Sequence, residues 1–168
     1  VPIALAVEEY KIDEPVLVFM GDDFVWNPDG ESAAESLINS LQNEDESVIL
    51  GVEIPKEKVE KYGVLNIKNN RLVGVVEKPT VKEAPSNMIN VSKYIMSKDL
   101  LRRIVKYVKT HDFGPLDQEY LVTDPIDEYI NAGGVMRVAP TSGEYLDGGS
   151  VDGWVHANNV VTGYKKSK

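Results

Sequence analysis

Apolar and polar positions along the chain switch repeatedly between a helical period and a strand period. Val16-Leu17-Val18-Phe19-Met20 is an unbroken apolar run between Pro15 and Gly21, which predicts a strand buried on both faces. Residues 4–10 ahead of it read as the end of a helix. Ala34, Leu37, Ile38 and Leu41 fall at i, i+3, i+4 and i+7, the spacing of one helical face, and residues 47–52 read as the following strand. Pro55-Lys56-Glu57-Lys58 opens a short helix with proline in its first turn, capped near Tyr62-Gly63. Leu65/Ile67 and Leu72/Val76 then alternate around Asn69-Asn70, and asparagine tolerates the left-handed backbone of a tight turn, so this segment is a hairpin. Pro79 cannot donate to a ladder and ends its second strand.

A further strand is expected at about Met88–Met96. Ser97 is placed as the N-cap of a helix whose Leu101, Ile104, Val105 and Val108 repeat the core spacing. Asp124-Pro125 starts another helix, Gly133-Gly134 ends it, and residues 135–139 return as a strand. Residues 144–149 read as a turn-rich segment leading into a final helix from about Ser150. This alternation predicts an α/β fold with strands between helices. No repeat, low-complexity stretch or linker divides it, so residues 1–168 are expected to form one domain.

Composition narrows the function classes. The chain of 168 residues carries 18 basic and 27 acidic side chains, a net charge of −9. Residues 1–84 hold 8 basic and 17 acidic groups, and residues 85–168 hold 10 of each. A surface this acidic offers no basic stripe to a phosphate backbone, which argues against a nucleic acid or an anionic membrane as partner. The absence of cysteine excludes disulfides and thiolate chemistry and points to a reducing, cytoplasmic setting.

Several residues could carry chemistry. Asp22 and Asp23 follow the first apolar strand, where open α/β sheets bind ligands, and paired carboxylates there suit Mg²⁺. A solvated turn that satisfies its own backbone amides is the competing reading. Asp147 lies between Gly143 and Gly148 in a turn-rich stretch. Glu77 beside Lys78 could hold a sugar hydroxyl and a phosphate, or form a surface ion pair. Gly63 allows a ligand close to its backbone amide, or simply caps a helix. His111 and His156 match no metal spacing, and Trp26 and Trp154 read as core or rim packing.

The order of these elements is more specific than any one of them. Gly21-Asp22-Asp23, Tyr62-Gly63-Val64, Val75-Val76-Glu77-Lys78-Pro79, residues 90–94, residues 119–126 and residues 145–148 together resemble the sugar-1-phosphate nucleotidyltransferases. Within them the chain is most similar to glucose-1-phosphate uridylyltransferases of the bacterial and archaeal type, with the thymidylyltransferases close behind. The resemblance implies a doubly wound, Rossmann-like sheet and a reaction in which glucose 1-phosphate and UTP give UDP-glucose and pyrophosphate. It implies Mg²⁺ held by Asp22 and Asp147, with Asp23 a neighbour. It further implies that Lys78 faces the sugar phosphate, and that Gly63, Glu77, Asn90 and Glu119 contact the substrate.

The resemblance also implies a glycine-rich GxGTR stretch followed by a PK motif near the family's amino terminus, and residues 1–168 contain no such stretch. The sheet is therefore expected to be incomplete on its N-terminal side. The chain alone is expected to lack uridylyltransferase activity and to pair with itself or with a further N-terminal segment. Ser92 stands where the family has the glycine of GxY, and Gln118 where it has the glycine of GE. Three other readings stay open: a non-catalytic partner subunit that keeps the fold, a metal-dependent glycosyltransferase, and a phosphoacceptor receiver domain.

Overall fold

The structure is a computed structural model and describes residues 1–111 and 121–167. Its elements in chain order are α1 (Pro2–Glu9), β1 (Val16–Phe19), β2 (Asp23–Trp26), α2 (Ala33–Ser40), β3 (Ser47–Glu53), a 3₁₀ turn (Lys56–Lys61), β4 (Gly63–Lys68) and β5 (Arg71–Glu77). They continue with β6 (Met88–Met96), α3 (Lys98–Thr110), α4 (Thr123–Asn131), β7 (Met136–Thr141), β8 (Glu144–Asp147) and α5 (Val151–Ser167).

Six strands form one twisted mixed sheet in the order β1-β6-β3-β7-β5-β4. β3 and β7 run parallel, and the remaining neighbours are antiparallel. Helices cover both faces, as the α/β pattern predicted. On one face Tyr94, Met96, Leu100, Leu101, Ile104, Ile126 and Tyr129 form a core beneath α1, α3 and α4. On the other, Leu37 of α2 seals Val48, Leu50, Val52, Val91 and Ile95. Among the described residues no helix is long and apolar enough to cross a membrane.

Local signals explain most boundaries. Ser32 and Glu35 form a reciprocal capping box at the start of α2, and the Ser97 hydroxyl accepts from the Leu100 amide at the start of α3. Asn69 and Asn70 have φ of 52° and 61°, the left-handed pair expected of a two-residue hairpin turn between β4 and β5. Gly133, at φ 91°, closes α4.

Five expectations need correction. β1 is not buried on both faces: among the described residues it pairs with β6 alone at the end of the sheet, and only alternate side chains turn inward. Val16 and Val18 pack against the core, whereas Leu17 and Phe19 remain about half exposed. In α2, Leu37 is fully buried but Ile38, a further 100° around the helix, faces outward. Gly63 does not cap a helix: Tyr62 takes an extended conformation after the 3₁₀ turn, and Gly63 begins β4. The segments after Gly21 and Gly143 are strands, β2 and β8, paired as a separate antiparallel ribbon. Of the two readings of Trp154, the core one fails and the rim one stands, since it lies 60% exposed on α5.

Candidate active site

The ribbon and the main sheet meet at a cleft of about 240 Å³. Its lining includes Asp22, Gly63, Glu77, Asn90 and Asp147, five residues that the sequence singled out and that come from five separate segments. Lys78 lies outside the lining, exposed, immediately beyond Glu77. Its backbone is left-handed, with φ 46°, and its amide donates to the Tyr62 carbonyl, so a strained turn fixes the end of β5. Glu119 and Gln118 lie outside the described residues.

One wall carries the two candidate metal carboxylates. In the ribbon Asp23 stands directly opposite Asp147, which brings Asp22 and Asp147 to the same end of it. The Asp22 carbonyl accepts from the Gly148 amide at 2.7 Å, and Asp147 Oδ1 accepts from the Gly149 amide at 2.9 Å. A Cβ on Gly148 would stand only 3.0 Å from that Asp22 carbonyl, so glycine is what lets the two turns touch.

The opposite wall is built from the ends of β4, β5 and β6. Gly63 pairs with Glu77, and a Cβ at Gly63 would lie 3.1 Å from both Glu77 carboxylate oxygens. The Glu77 carboxylate therefore rests over a bare backbone. Thr123, buried at the start of α4, donates its hydroxyl to Glu77 Oε1 at 3.2 Å and fixes that carboxylate further. Asn90 donates through Nδ2 to the Tyr94 hydroxyl at 3.0 Å and accepts through Oδ1 from the Ser92 amide at 2.9 Å. One Nδ2 proton is left for a ligand.

Ser92 takes φ 53°, a left-handed conformation in which glycine, the residue expected there from the resemblance, is unstrained. It sits where the β3–β6 register slips, and after it both Lys93 and Tyr94 are buried.

Beneath the cleft lies a buried polar network. Lys93 Nζ lies within hydrogen-bond distance of the Asp23 carboxylate and of three backbone carbonyls, those of Met20, Asp23 and Val91, and shares its three protons among them. Tyr145 donates to the other Asp23 oxygen at 3.2 Å. Burial holds the Asp23 carboxyl above the usual carboxylate range despite these partners. Burial likewise pushes Tyr94 up to about 12 and raises Tyr62 and Tyr145, whose rings meet edge to face. All three phenols stay protonated at neutral pH, and Tyr145 uses its proton to donate to Asp23.

Lys93, Thr123 and Tyr145 lie inside the motif segments but were assigned no role from the sequence. Lys93 did carry a signal, as the one charged residue of residues 88–96. Propensity and periodicity do not separate Thr123 and Tyr145 from ordinary surface residues.

Comparison with known proteins bears on the family and the fold. A family model described as nucleotidyl transferase matches residues 2–163. A UTP–glucose-1-phosphate uridylyltransferase of Pseudomonas aeruginosa is 29% identical over 152 residues, which cover 88% of this chain and 52% of that protein. The structure of an apo UDP-glucose pyrophosphorylase superposes with a TM-score of 0.78 at 27% identity, over 98% of this chain and 59% of the other. A UDP-glucose pyrophosphorylase complexed with UDP-glucose gives 0.76 at 25% identity, over 98% and 61%. The chain spans about half the length of the curated relatives it matches.

Proposed function

The chain belongs to the nucleotidyl transferase family, and we propose that its cleft is the sugar-phosphate side of a glucose-1-phosphate uridylyltransferase site. One observation carries the reading: Asp22 and Asp147 line the same cleft as Gly63, Glu77 and Asn90. An acidic wall thus stands beside a wall of neutral and carboxylate hydrogen-bonding groups, suited to a charged and a hydroxylated part of one ligand. The relative solved with UDP-glucose supports the choice of ligand.

In the proposed reaction a phosphate oxygen of glucose 1-phosphate attacks the α-phosphorus of UTP. The bond to the β-phosphate oxygen breaks, and UDP-glucose and pyrophosphate form. Glu77, oriented by Thr123, accepts hydrogen bonds from sugar hydroxyls, and the absence of a side chain at Gly63 leaves room beside it. Asn90 offers its remaining amide proton. Lys78 at the rim offsets the repulsion between the two anionic substrates, which in this chemistry is most of what a protein must do.

Asp22 and Asp147 fit a divalent ion. Among the described residues no three Asp, Glu or His side chains cluster as a metal cage. A pair of hard oxygen donors open to a cleft is nevertheless the usual protein share of a Mg²⁺ site, whose other ligands are water and phosphate. When bound, Mg²⁺ would neutralise phosphate oxygens. Glu119 is expected to complete the sugar contacts.

We also infer that turnover requires residues beyond the matched half of the relatives, so the chain by itself binds without catalysing. Calorimetric titration of UDP-glucose with Mg²⁺ tests the reading. Saturable heat that disappears in Asp22→Ala and Glu77→Gln is expected. No saturable heat in the parent chain would instead favour a non-catalytic subunit that keeps the fold. Parallel titration with TDP-glucose separates uridine from thymidine preference. Release of pyrophosphate from UTP and glucose 1-phosphate by this chain alone would refute the inference about turnover.

A further inference from the structure

Gly21 and Asp22 form an exposed turn whose one close neighbour on the ribbon side is Gly148, through its amide to the Asp22 carbonyl. Asp22 is exposed, and a Cβ on Gly21 would meet no atom within 4 Å. Besides the bond from Gly148, the turn is held from inside by the ammonium of Lys93.

Lys93 is 4% exposed, and its Nζ reaches four oxygens. It lies 2.9 Å from the Met20 carbonyl, on one side of Gly21-Asp22, and 2.8 Å from the Asp23 carbonyl, on the other. It also reaches the Val91 carbonyl at 3.1 Å, which anchors it to β6. The fourth oxygen belongs to the Asp23 carboxylate, which balances its charge. The Met20 amide adds a bond to the Ser92 carbonyl at 3.1 Å. One buried cation thus grips both shoulders of the turn, as a bound metal ion does in a cage of carbonyls. Asp23 passes the constraint on, since it pairs with Asp147 across the ribbon and accepts from Tyr145.

We propose that Lys93 is the positioning residue of the divalent-metal site, fixing the Gly21-Asp22 turn so that the carboxylates of Asp22 and Asp147 serve one ion. This rests on the reading of Asp22 and Asp147 as metal ligands. Because Asp23 neutralises Lys93 within the fold, the full charge of Asp22 remains available to the ion. Groups that orient metal ligands without touching the metal commonly change affinity by about 10-fold or more when removed.

The test is Mn²⁺ binding to the full chain, followed by electron paramagnetic resonance well below the melting temperature of each variant. The parent chain is expected to bind Mn²⁺, and Lys93→Met to bind it about 10-fold more weakly. Lys93→Met also strands the Asp23 carboxylate, so its melting temperature should fall by ~10 °C. The double variant Lys93→Met/Asp23→Asn removes that stranded charge. It should regain much of the melting temperature and none of the Mn²⁺ affinity, because the carbonyl grip is still missing.

If affinity returns together with stability, the effect was the stranded charge and the proposal is overturned. Unchanged affinity in Lys93→Met overturns it as well. Should Lys93→Met fail to fold, the double variant compared with Asp23→Asn alone isolates Lys93, and equal affinities overturn the proposal. A parent chain that binds no Mn²⁺ removes the metal reading and this inference together, whereas Asp22→Ala losing Mn²⁺ while Lys93→Met keeps it removes the inference alone.

Discussion

Two buried cation–carboxylate pairs stand at separate places in this fold, and they behave in opposite ways. Arg137 on β7 holds Glu46, just ahead of β3, through Nε and Nη2 to the two carboxylate oxygens, at 2.5 and 2.9 Å. Lys93 on β6 holds Asp23 through one ammonium shared with three carbonyls. Glu46 and Asp23 are equally buried, each 8% exposed. Yet hydrogen bonding to Arg137 draws Glu46 below the usual carboxylate range, while burial pushes Asp23 above it.

Equal exposure does not mean equal balance: at Asp23 desolvation outweighs the Lys93 contacts, whereas at Glu46 the Arg137 hydrogen bonds outweigh desolvation, and the shape of the cation contributes to that balance. A planar guanidinium matches both oxygens of a carboxylate and spends itself on that one partner. An ammonium directs its protons separately, and Lys93 gives most of them to backbone. The first arrangement closes on itself as a staple between β3 and β7. The second ties three segments together under the cleft and leaves the carboxylate only partly compensated.

The largest effect that would sharpen this contrast is expected from Arg137→Met. It leaves the Glu46 carboxylate buried without its cation and should cost ~3–5 kcal/mol of stability in urea unfolding. UDP-glucose affinity of the folded protein should stay unchanged. A parallel loss of affinity would mean that the staple also shapes the cleft, and the distinction would fail.

Next in size is a contrast between two glycines. Gly63→Ala places a methyl group 3.1 Å from the Glu77 carboxylate, and should cost ~1–3 kcal/mol of ligand binding measured by calorimetry. Gly74→Ala on β5 meets nothing closer than Asp127 Oδ1 at 3.8 Å. Its binding should match the parent, and equal losses in both variants would show that the cleft does not depend on the Gly63–Glu77 approach.

Acid unfolding separates the two pairs by sign. The Glu46 carboxyl lies lower in the folded than in the unfolded chain, so its pair contributes stability above the ordinary carboxylate range. That contribution is lost as pH falls through the folded value. Glu46→Gln should therefore be less stable than the parent at pH 7, with a shallower decline below pH 5. An acid limb as steep as the parent's would assign acid lability elsewhere. The smallest expected effect is Ser92→Gly, which relieves a left-handed serine at φ 53° and should raise stability by ~0.5–1 kcal/mol in the same unfolding assay.

Much of the frame was legible because it depends on neighbours in sequence. The Asn69-Asn70 turn, the Ser97 cap and the Gly133 terminus each follow from the conformational preference of one or two residues. The order of short motifs located Asp22, Gly63, Glu77, Asn90 and Asp147, and the fold gathers all five. The apolar run at β1 misled, since a continuous apolar strand looks the same at an edge as at a centre. The short strands β2 and β8 were also hidden. Each has four residues and depends on the other, 121 positions away, for its hydrogen bonds.

The sequence by itself determined the α/β alternation, the turn chemistry, the acidic balance and the set of side chains able to do chemistry, because these follow from composition and local spacing. Only the tertiary structure decided which of those side chains share a cleft and what holds them there. Lys93 reaches acceptors up to 73 positions away, and Thr123 reaches Glu77 across 46. Contacts over such separations are set by how strands pair and helices cover them, and that is a property of the closed chain, not of any segment within it.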